Sequence, residues 1–275
     1  MEMPNRKPHE QERWQLDREA AGQYEHTVGP RFERLATLLM DAAGVQPGEC
    51  VLDVACGTGI VARLAAARVK PSGSVFALDI NPAMLDIGRR LAAERGLAIE
   101  WRLGDAHALP FPQASIDVVL CQQGLQFFSD KAAALREMAR VVSPGGRIAL
   151  AVFGGPNRFI LALAEALKKY ADEKSVAQCL APFALGDPAV LQAIARDAAL
   201  GPVDIRSHTL TRPVEPSQEW LLATTSAFPY AAAITGMTPE VRAQVVRDIA
   251  SALHELWDND HFAVPSEVFV ACIRV

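Results

Sequence analysis

The chain has 275 residues, of which 50% are hydrophobic and 21% are charged. A chain of this length and composition can bury one large core with a modest elaboration, so we expect one domain with an inserted cap. The formal charge of −5 argues against a nucleic-acid partner, because binding to phosphates requires a basic surface. A small or uncharged ligand fits this charge better.

The five cysteines are scattered, and no two of them form a Cys-x-x-Cys pair. This pattern predicts neither a disulfide framework nor a zinc site, and reduced thiols are typical of the cytosol. The first 18 residues are polar and charged, and no later apolar run reaches the length of a membrane span. We therefore predict a cytoplasmic protein without a signal peptide or a membrane span.

The first half of the chain alternates strand-like and helix-like patterns. Five short runs rich in β-branched and apolar residues are predicted as strands: Cys50–Val54, Ser74–Asp79, Ile99–Leu103, Ile116–Cys121 and Arg147–Phe153. Most of these runs are apolar throughout, which is typical of strands covered on both faces. The sequence therefore predicts a largely parallel sheet.

Helical patterns separate these strands. They cover Gly59–Val69, Pro82–Arg95 and Asp130–Val142, and Ser129 is the predicted N-cap of the third. The run Ser143–Gly146 predicts a tight turn into the fifth strand. The repeated order of strand, helix and strand favours a doubly wound α/β sheet.

After Phe153 the pattern changes to helical pieces broken by proline, which predict an inserted cap. Val203–Leu210 and Glu267–Val275 complete a predicted seven-stranded, mostly parallel sheet, with a helix over Pro239–Leu256 between them. N-terminal helices are predicted within His9–Ala43. The predicted units are an N-terminal helical segment covering the site (1–47), a nucleoside-binding α/β core (48–156), a helical cap (157–200), and the final strands and helices of the core (201–275).

A glycine-containing turn follows the first strand and opens a helix. Such a turn lets a ligand approach bare backbone, and the run from Gly57 to Ala62 also satisfies the dinucleotide-binding pattern. Asp79 ends the next strand twenty residues after Gly59, where its carboxylate can accept hydrogen bonds from two ribose hydroxyls. The ligand is therefore expected to be a nucleoside, and this pattern alone does not choose between NAD and S-adenosylmethionine.

Further motifs follow the later strands in order. They are Gly104-Asp105-Ala106, Cys121-Gln122-Gln123-Gly124 and Ser143-Pro144-Gly145-Gly146. With this series the chain resembles the seven-stranded class I S-adenosylmethionine-dependent methyltransferases over about residues 48 to 153. Within that family it is similar to the broad group that includes the quinone-biosynthesis C-methyltransferases. The resemblance implies the fold and the cofactor, with S-adenosylhomocysteine as its product, and leaves the acceptor open.

The resemblance also implies roles for particular residues. Asp53 would lie near the methionine amine, the 55–59 loop beneath the cofactor, and Asp79 against the ribose hydroxyls. Ile80 and Met84 would contact the adenine, Asp105 would accept from its amino group, and Gln122 would face the methionine part. The implied cofactor-binding residues are Asp53, Ala55, Gly57, Gly59, Asp79, Ile80, Met84, Gly104, Asp105, Ala106 and Gln122.

Methyl transfer from a sulfonium needs alignment and desolvation more than it needs a catalytic base. If the acceptor must lose a proton, His26 is our candidate base, because the N-terminal segment commonly folds over the substrate mouth in related proteins. The alternative is an exposed histidine at a helix end. The candidate acceptor pocket comprises Tyr24, Phe127, Phe228 and Tyr230, although scattered aromatic residues are usually structural.

Two other histidine positions have plainer interpretations. His107 follows Asp105 by two residues and is expected beside the outer edge of the cofactor or on a loop surface. The spacing of His254, Asp258 and His261 could suggest a metal cluster, yet no third histidine or cysteine with ligand spacing supports it. We favour a polar helix end there and predict no metal.

The sequence thus predicts a methyltransferase that transfers a methyl group to oxygen, nitrogen or carbon of a small, aromatic or apolar acceptor. A non-methylating S-adenosylmethionine-binding module or accessory subunit on the same fold is the alternative. A third interpretation, an NAD-dependent oxidoreductase, rests only on the glycine loop and Asp79. A homodimer through the cap or the N-terminal helices is a further expectation.

Overall fold

The computed structural model describes residue 25, residues 29–215 and residues 217–275. Its strands are β1 (Cys50–Val54), β2 (Ser74–Asp79), β3 (Glu100–Leu103), β4 (Ile116–Gln122), β5 (Val142–Phe153), β6 (Val203–Val214), β7 (Trp257–Asp258) and β8 (His261–Arg274). Seven of them form a sheet in the order β3-β2-β1-β4-β5-β8-β6, and the short β7 pairs with β8. Strands β1 to β5 are parallel, and β8 runs antiparallel to β5 and β6. The predicted doubly wound, mostly parallel sheet is confirmed.

The helices connect these strands in the predicted alternation. They are α1 (Gly29–Ala43), α2 (Ile60–Arg68), α3 (Pro82–Glu94), α4 (Lys131–Val141), α5 (Arg158–Tyr170), α6 (Glu173–Leu180), α7 (Pro188–Asp197), α8 (Gln218–Thr225), α9 (Ala231–Thr235) and α10 (Pro239–Ala252). Short 3₁₀ turns cover Leu125–Phe127, Ala181–Phe183 and His254–Leu256. No described helix has both the length and the apolar character that crossing a membrane would require.

Alternate residues of the central strands pack on opposite faces of the sheet. Leu52 and Val54 of β1 join an apolar cluster with α4 and α7, whereas Val51 joins a second cluster with α1 and α2. Because both faces are covered by helices, the inner strands read as nearly continuous apolar runs. This is why their bounds were predicted closely from sequence.

The helix caps explain where two of the helices begin. The Asn81 side chain accepts a hydrogen bond from the Ala83 amide, and Pro82 occupies the first turn, where it needs no amide partner. At α4 the predicted cap was wrong: Asp130, not Ser129, is the N-cap, and its side chain accepts from the Ala133 amide. A carboxylate is a strong capping acceptor beside the positive end of the helix.

The predicted turn at Ser143–Gly146 lies inside β5 as an irregularity of the strand. Val142 pairs with Ile116 and Arg147 pairs with Val118, so four residues of β5 face a single residue of β4. Gly145 has φ +83° and its amide donates to the carbonyl of Val275, which ties the irregularity to the end of the chain. The strand therefore begins five residues before the predicted start.

The helices outside the sheet pack in two groups. An apolar cluster joins α5 and α6 to α8, α9 and α10, with Phe159, Leu221 and Ile249 among its buried members. By contrast, α7 packs against α4 and the sheet. This packing favours a cap built from two separate stretches, about 158–183 and 218–256, because the apolar faces of these helices cover one another. The prediction had assigned the helices after residue 200 to the core.

Candidate active site

Four loops meet at one edge of the sheet, because parallel strands place all their carboxyl ends on the same side. The loops that follow β1, β2, β3 and β4 line one cavity, which we call the nucleoside cavity. Its lining residues are Ala55, Gly57, Leu78, Asp79, Ile80, Asn81, Met84, Gly104, Asp105, Ala106, His107, Gln123, Gly124, Phe127 and Phe128. Eight of the eleven predicted cofactor-binding residues lie in this wall; Asp53, Gly59 and Gln122 do not.

Asp79 is held at the end of β2 by two backbone amides. Its Oδ2 accepts from the Gly57 amide at 2.7 Å, and its Oδ1 accepts from the Asn81 amide at 2.8 Å. The side chain is buried, and burial raises the pKa of its carboxyl above the usual value while the two amides oppose that shift. Each oxygen keeps a lone pair, so the fixed carboxylate can accept from a pair of ribose hydroxyls.

The glycine loop has three residues in the left-handed region of φ. Ala55 has φ +55°, Gly57 has φ +54° and Gly59 has φ +81°. A Cβ at Gly57 would meet nothing within 4 Å, so this residue lies open toward the cavity. A Cβ at Gly59 would lie 2.2 Å from the Trp101 ring, so Gly59 allows α2 and its loop to approach β3 closely.

Asp53 lies behind the glycine loop instead of in the wall of the cavity. Its Oδ2 accepts from the Ala62 amide in the first turn of α2 at 3.0 Å. Burial, aided by the nearby Asp79, raises the pKa of the carboxyl to about 8, although the Ala62 hydrogen bond and the charge of Arg63 oppose the shift. Asp53 thus ties β1 to α2 and places a titratable group beneath the loop.

Asp105 and His107 form a pair after β3. His107 Nδ1 lies 2.6 Å from Asp105 Oδ1, which also accepts the His107 amide at 2.9 Å. His107 Nε2 accepts from the Asp130 amide at 3.3 Å, which makes Nδ1 the protonated nitrogen of a neutral ring. Both contacts to Asp105 use Oδ1, so Oδ2 is the oxygen through which Asp105 can accept from an adenine amino group.

Gln122, the last residue of β4, and Gln123, which follows it, carry complementary polar atoms. Gln122 Oε1 and Gln123 Nε2 are buried and have no hydrogen-bond partner in the described part of the chain. Gln123 lines the nucleoside cavity, and Gln122 Nε2 donates to the Phe32 carbonyl at 3.5 Å. An acceptor and a donor at this position match the ammonium and carboxylate of a methionine moiety. The two buried side-chain atoms without partners therefore fit S-adenosylmethionine as the ligand.

The remaining wall of the nucleoside cavity is largely apolar. Ile80 and Met84 line it on one side, where Ile80 is 40% exposed, and Gly104 and Ala106 line it after β3. A Cβ at Gly104 would lie 2.8 Å from Leu78, so the backbone of this loop packs tightly on the end of β2. Flat apolar surfaces beside Asp105 suit a purine ring.

A second, more apolar cavity of about 310 Å³ lies between the cap and the sheet. We call it the cap cavity. Its lining residues are Phe32, Arg34, Leu35, Phe153, Asn157, Phe159, Ile160, Cys179, Pro182, Phe183, Leu210, Thr211, Arg212, Pro213, Thr224, Thr225, Phe228, Tyr230, Ser266 and Val268. Phe228 and Tyr230 from the predicted acceptor pocket stack here with ring centroids 5.5 Å apart, whereas Phe127 lines the nucleoside cavity.

Two contacts join the walls of these cavities. The turn Leu125–Phe127 packs against the turn Ala181–Phe183, with Phe127 in one wall and Phe183 in the other. Gln122 of the β4 end donates to the carbonyl of Phe32, which lines the cap cavity. The cap cavity is therefore a neighbour of the nucleoside cavity.

Two predicted residues, Tyr24 and His26, lie outside the described residues. Glu25 between them is described, and its Oε1 lies 3.1 Å from Arg63 Nη2. Arg63 is 5% exposed and its Nη1 donates to the Thr58 carbonyl in the glycine loop. This ion pair attaches residue 25 to the loop that lines the nucleoside cavity.

The histidines near the C-terminus have local partners. His254 Nδ1 lies 2.9 Å from the Ser251 carbonyl oxygen, and His261 Nδ1 lies 2.8 Å from Asp260 Oδ1. In the described part of the chain, no three His, Cys, Asp or Glu residues are grouped so that they could hold a metal ion.

Sequence reasoning missed four residues of the nucleoside cavity, Leu78, Asn81, Gln123 and Gly124, whereas His107 lines it as expected. Asn81 precedes a proline that opens a helix, a capping signal that could have identified it. Gln123 has φ +54°, an uncommon backbone conformation for a side chain of this size. That conformation, which the sequence does not indicate, places Gln123 rather than Gln122 in the wall.

Comparison with known proteins agrees with this geometry. The family model described as "Methyltransferase domain" matches residues 51–146. The ubiquinone/menaquinone biosynthesis C-methyltransferase UbiE of Ectopseudomonas mendocina is 42% identical over 125 residues, which are 45% of this chain and 49% of that protein. The chain therefore spans about half the length of the curated relatives it matches.

Solved structures extend the likeness of fold beyond that half. One similar structure is the Haemonchus contortus phosphoethanolamine N-methyltransferase 2 in complex with phosphomonomethylethanolamine and S-adenosylhomocysteine. The alignment covers 95% of this chain and 58% of that chain, with a TM-score of 0.60 and 19% sequence identity. The [4+2]-cyclase SpnF covers 97% of this chain and 96% of its own, with a TM-score of 0.58 and 18% identity. At these identities the likeness shows the fold alone.

Proposed function

We propose that this protein, whose residues 51–146 are a class I S-adenosylmethionine-dependent methyltransferase domain, is an enzyme that methylates a small, apolar or aromatic acceptor. One observation carries the proposal. Asp79, Asp105 and Gln123 lie around one cavity at the ends of four parallel strands, and a larger apolar cavity adjoins it.

The nucleoside cavity would hold the methyl donor through three groups of contacts. Asp79 accepts from the ribose hydroxyls, Asp105 accepts from the adenine amino group, and Gln122 and Gln123 contact the ammonium and carboxylate of the methionine part. The buried carboxyl group of Asp79 also provides negative potential for a ligand that carries positive charge. The ion pair of Glu25 with Arg63, which donates to the Thr58 carbonyl, supports the glycine loop from outside the cavity wall.

S-adenosylmethionine supplies an activated methyl group, because its sulfonium leaves as a neutral thioether when an acceptor electron pair forms the new bond to the methyl carbon. The chain's task is to align the acceptor in line with that bond and to exclude water from it. The apolar wall of the cap cavity, with Phe153 and Phe183 5.1 Å apart in its lining, is suited to both tasks.

We propose that His26 is the base for an acceptor that must lose a proton. The support is its position in the chain next to Glu25, which is bound to Arg63 beside the glycine loop. A His26→Gln variant is expected to lose turnover while its affinity for S-adenosylhomocysteine is retained. His254→Gln, a change at an exposed histidine, is the matched control. Equal turnover of His26→Gln and wild type would remove His26 from the mechanism.

The proposal is tested by methyl transfer itself. Purified protein is incubated with methyl-labelled S-adenosylmethionine and acceptor panels or cell extract, and both S-adenosylhomocysteine and labelled product are quantified. We expect stoichiometric formation of the two products. Binding of the nucleoside without either product would favour the alternative, a non-methylating binding module. The UbiE relatives are named for C-methylation, but they match only about half of their length, so O, N and C acceptors all belong in the panel.

A cytoplasmic location, the absence of a nucleic-acid partner and a homodimer remain predictions from the sequence. The net charge of −5 supports the second of these.

A further inference from the structure

The turn Leu125–Phe127 carries a glutamine whose side chain is buried. Gln126 is 6% exposed, and its Nε2 donates a hydrogen bond to Gln123 Oε1 at 2.6 Å. Gln123 lines the nucleoside cavity, whereas Gln126 is not among the described lining residues of either cavity. Any effect of the Gln126 amide on a ligand is therefore exerted through Gln123.

The bond from Gln126 fixes which end of the Gln123 amide is available. Because Gln123 Oε1 already accepts this bond, Gln123 Nε2 is the end that is left for another partner. This nitrogen is buried and has no hydrogen-bond partner among the described residues. The Gln123 backbone is fixed as well, because its amide donates to the Ala151 carbonyl of β5 at 2.8 Å. Held at both ends, Gln123 presents Nε2 as a donor of fixed orientation.

The charges in the wall of the nucleoside cavity make such a donor necessary. The ionisable side chains there are Asp79, Asp105 and His107, and the described lining residues include no lysine or arginine. This distribution favours the sulfonium and ammonium of a methyl donor and disfavours its carboxylate. A neutral amide can offset the disadvantage only if it is held in place, because an unfixed side chain loses rotamer entropy when it binds.

We propose that Gln126 is a positioning residue, which orients the Gln123 amide so that Nε2 binds the carboxylate of the methionine part of the methyl donor. The inference rests on the proposed function, because it requires S-adenosylmethionine in the nucleoside cavity. Gln126 itself touches neither the methyl donor nor the acceptor. Its effect is confined to the carboxylate, so a ligand that lacks this group should bind equally well without Gln126.

The test compares S-adenosylhomocysteine with S-(5′-adenosyl)-3-thiopropylamine, which is the same molecule without its carboxylate. Both are titrated calorimetrically into wild type and Gln126→Met. We expect wild type to bind S-adenosylhomocysteine about tenfold or more tightly than the amine. Gln126→Met removes the donor to Gln123 Oε1. It should reduce this ratio to about threefold or less, while the affinity for the amine stays within about twofold of wild type.

Leu125→Met is the matched control, because it places the same side chain in the same turn and leaves both glutamines intact. It should keep the wild-type ratio. A second variant, Gln126→Glu, keeps the length of the side chain but only accepts hydrogen bonds when it is ionised. The Gln123 amide would then turn and present Oε1 to the ligand carboxylate, so the ratio should fall at least as far as in Gln126→Met. Gln126→Glu also decides the matter if Gln126→Met does not fold, as judged by circular dichroism.

Three results would contradict the role of Gln126. They are an equal loss of affinity for both ligands in the Gln126 variants, which is the mark of a merely structural role, a wild-type ratio in these variants, and equal affinity of the two ligands for wild type. If wild type bound neither ligand, the proposed function would be contradicted instead, so the two failures are distinguishable.

Discussion

At the scale of single residues, the backbone of the glycine loop explains two residue choices. Ala55 occupies the left-handed region, which costs an L-residue about 1 kcal/mol relative to glycine. A Cβ on Gly124 would lie 2.7 Å from the Cβ of Ala55 and 2.8 Å from Cys121 Sγ. The methyl group of Ala55 thus requires a glycine across the cavity wall. No local sequence pattern indicates that residues 55 and 124 meet, because their contact forms only in the fold.

The first prediction is a double-mutant cycle on these two positions. Gly124→Ala is expected to lower the free energy of unfolding by about 2 kcal/mol through overpacking. Ala55→Gly should change it by no more than about 1 kcal/mol, because relief of strain is offset by greater freedom of the unfolded chain. The double variant should be more stable than the sum of the single effects predicts, as measured by urea denaturation. Strict additivity would contradict the Cβ contact.

The second prediction concerns the titration of Asp53. Its pKa in the folded state is raised to about 8, so the folded protein binds more protons than the unfolded chain between the usual aspartate pKa and pH 8. In this window its contribution to stability falls as pH rises. Asp53→Asn, which can still accept from the Ala62 amide, should become more stable relative to wild type as pH increases from about 4 to 8. The measurement is the unfolding free energy of both proteins across this range. A constant difference would contradict the raised pKa.

At the scale of elements, Trp101 holds two helices and the glycine loop together. Its ring would lie 2.2 Å from a Cβ on Gly59 and 2.4 Å from a Cβ on Gly88 of α3. The two glycines therefore allow α2 and α3 to close on the same side of β3. Neither glycine was predicted to serve packing, because the partner is distant in sequence.

The third prediction follows from this packing. Gly88→Ala should lower the unfolding free energy by about 1–3 kcal/mol and weaken binding of S-adenosylhomocysteine, because α3 begins beside Asp79 and Asn81. Gly201→Ala is the control: a Cβ there meets nothing within 4 Å and the backbone has no positive φ. It should stay within about 0.5 kcal/mol of wild type. Equal behaviour of the two variants would contradict the role given to Trp101.

The strands and helices that were predicted best are those whose bounds are set by neighbouring residues in the sequence. The bounds of β1 and β2 were predicted without error, because buried parallel strands form short apolar runs ended by turn residues. The extra residues at the start of β5 were missed, since the irregularity depends on pairing with β4 and with Val275. The surface on which an amphipathic helix packs, the sheet or other helices, likewise depends on tertiary contacts that local patterns do not indicate.

In the whole molecule, the lining of the nucleoside cavity can be predicted from the sequence much further than the lining of the cap cavity. That Asp79 and Asp105 line one cavity could be expected from the sequence, because their positions after successive strands follow from the topology. The fold and the family resemblance are confirmed by the sheet and by the match over residues 51–146. The cap cavity brings together Phe32, Phe153, Arg212 and Tyr230 from distant parts of the chain, and no local pattern indicates that they meet.

Whether the nucleoside cavity binds S-adenosylmethionine is decided by calorimetric titration of S-adenosylmethionine, S-adenosylhomocysteine and NADH into wild type, Asp79→Ala and Asp117→Ala. Asp117 accepts the Cys50 amide at the opposite edge of the sheet and is the matched control. We predict that both S-adenosyl ligands bind wild type and Asp117→Ala, that Asp79→Ala loses at least tenfold in affinity, and that NADH binds none of them. Failure of both S-adenosyl ligands to bind folded wild type, or preferential binding of NADH, would contradict the central claim.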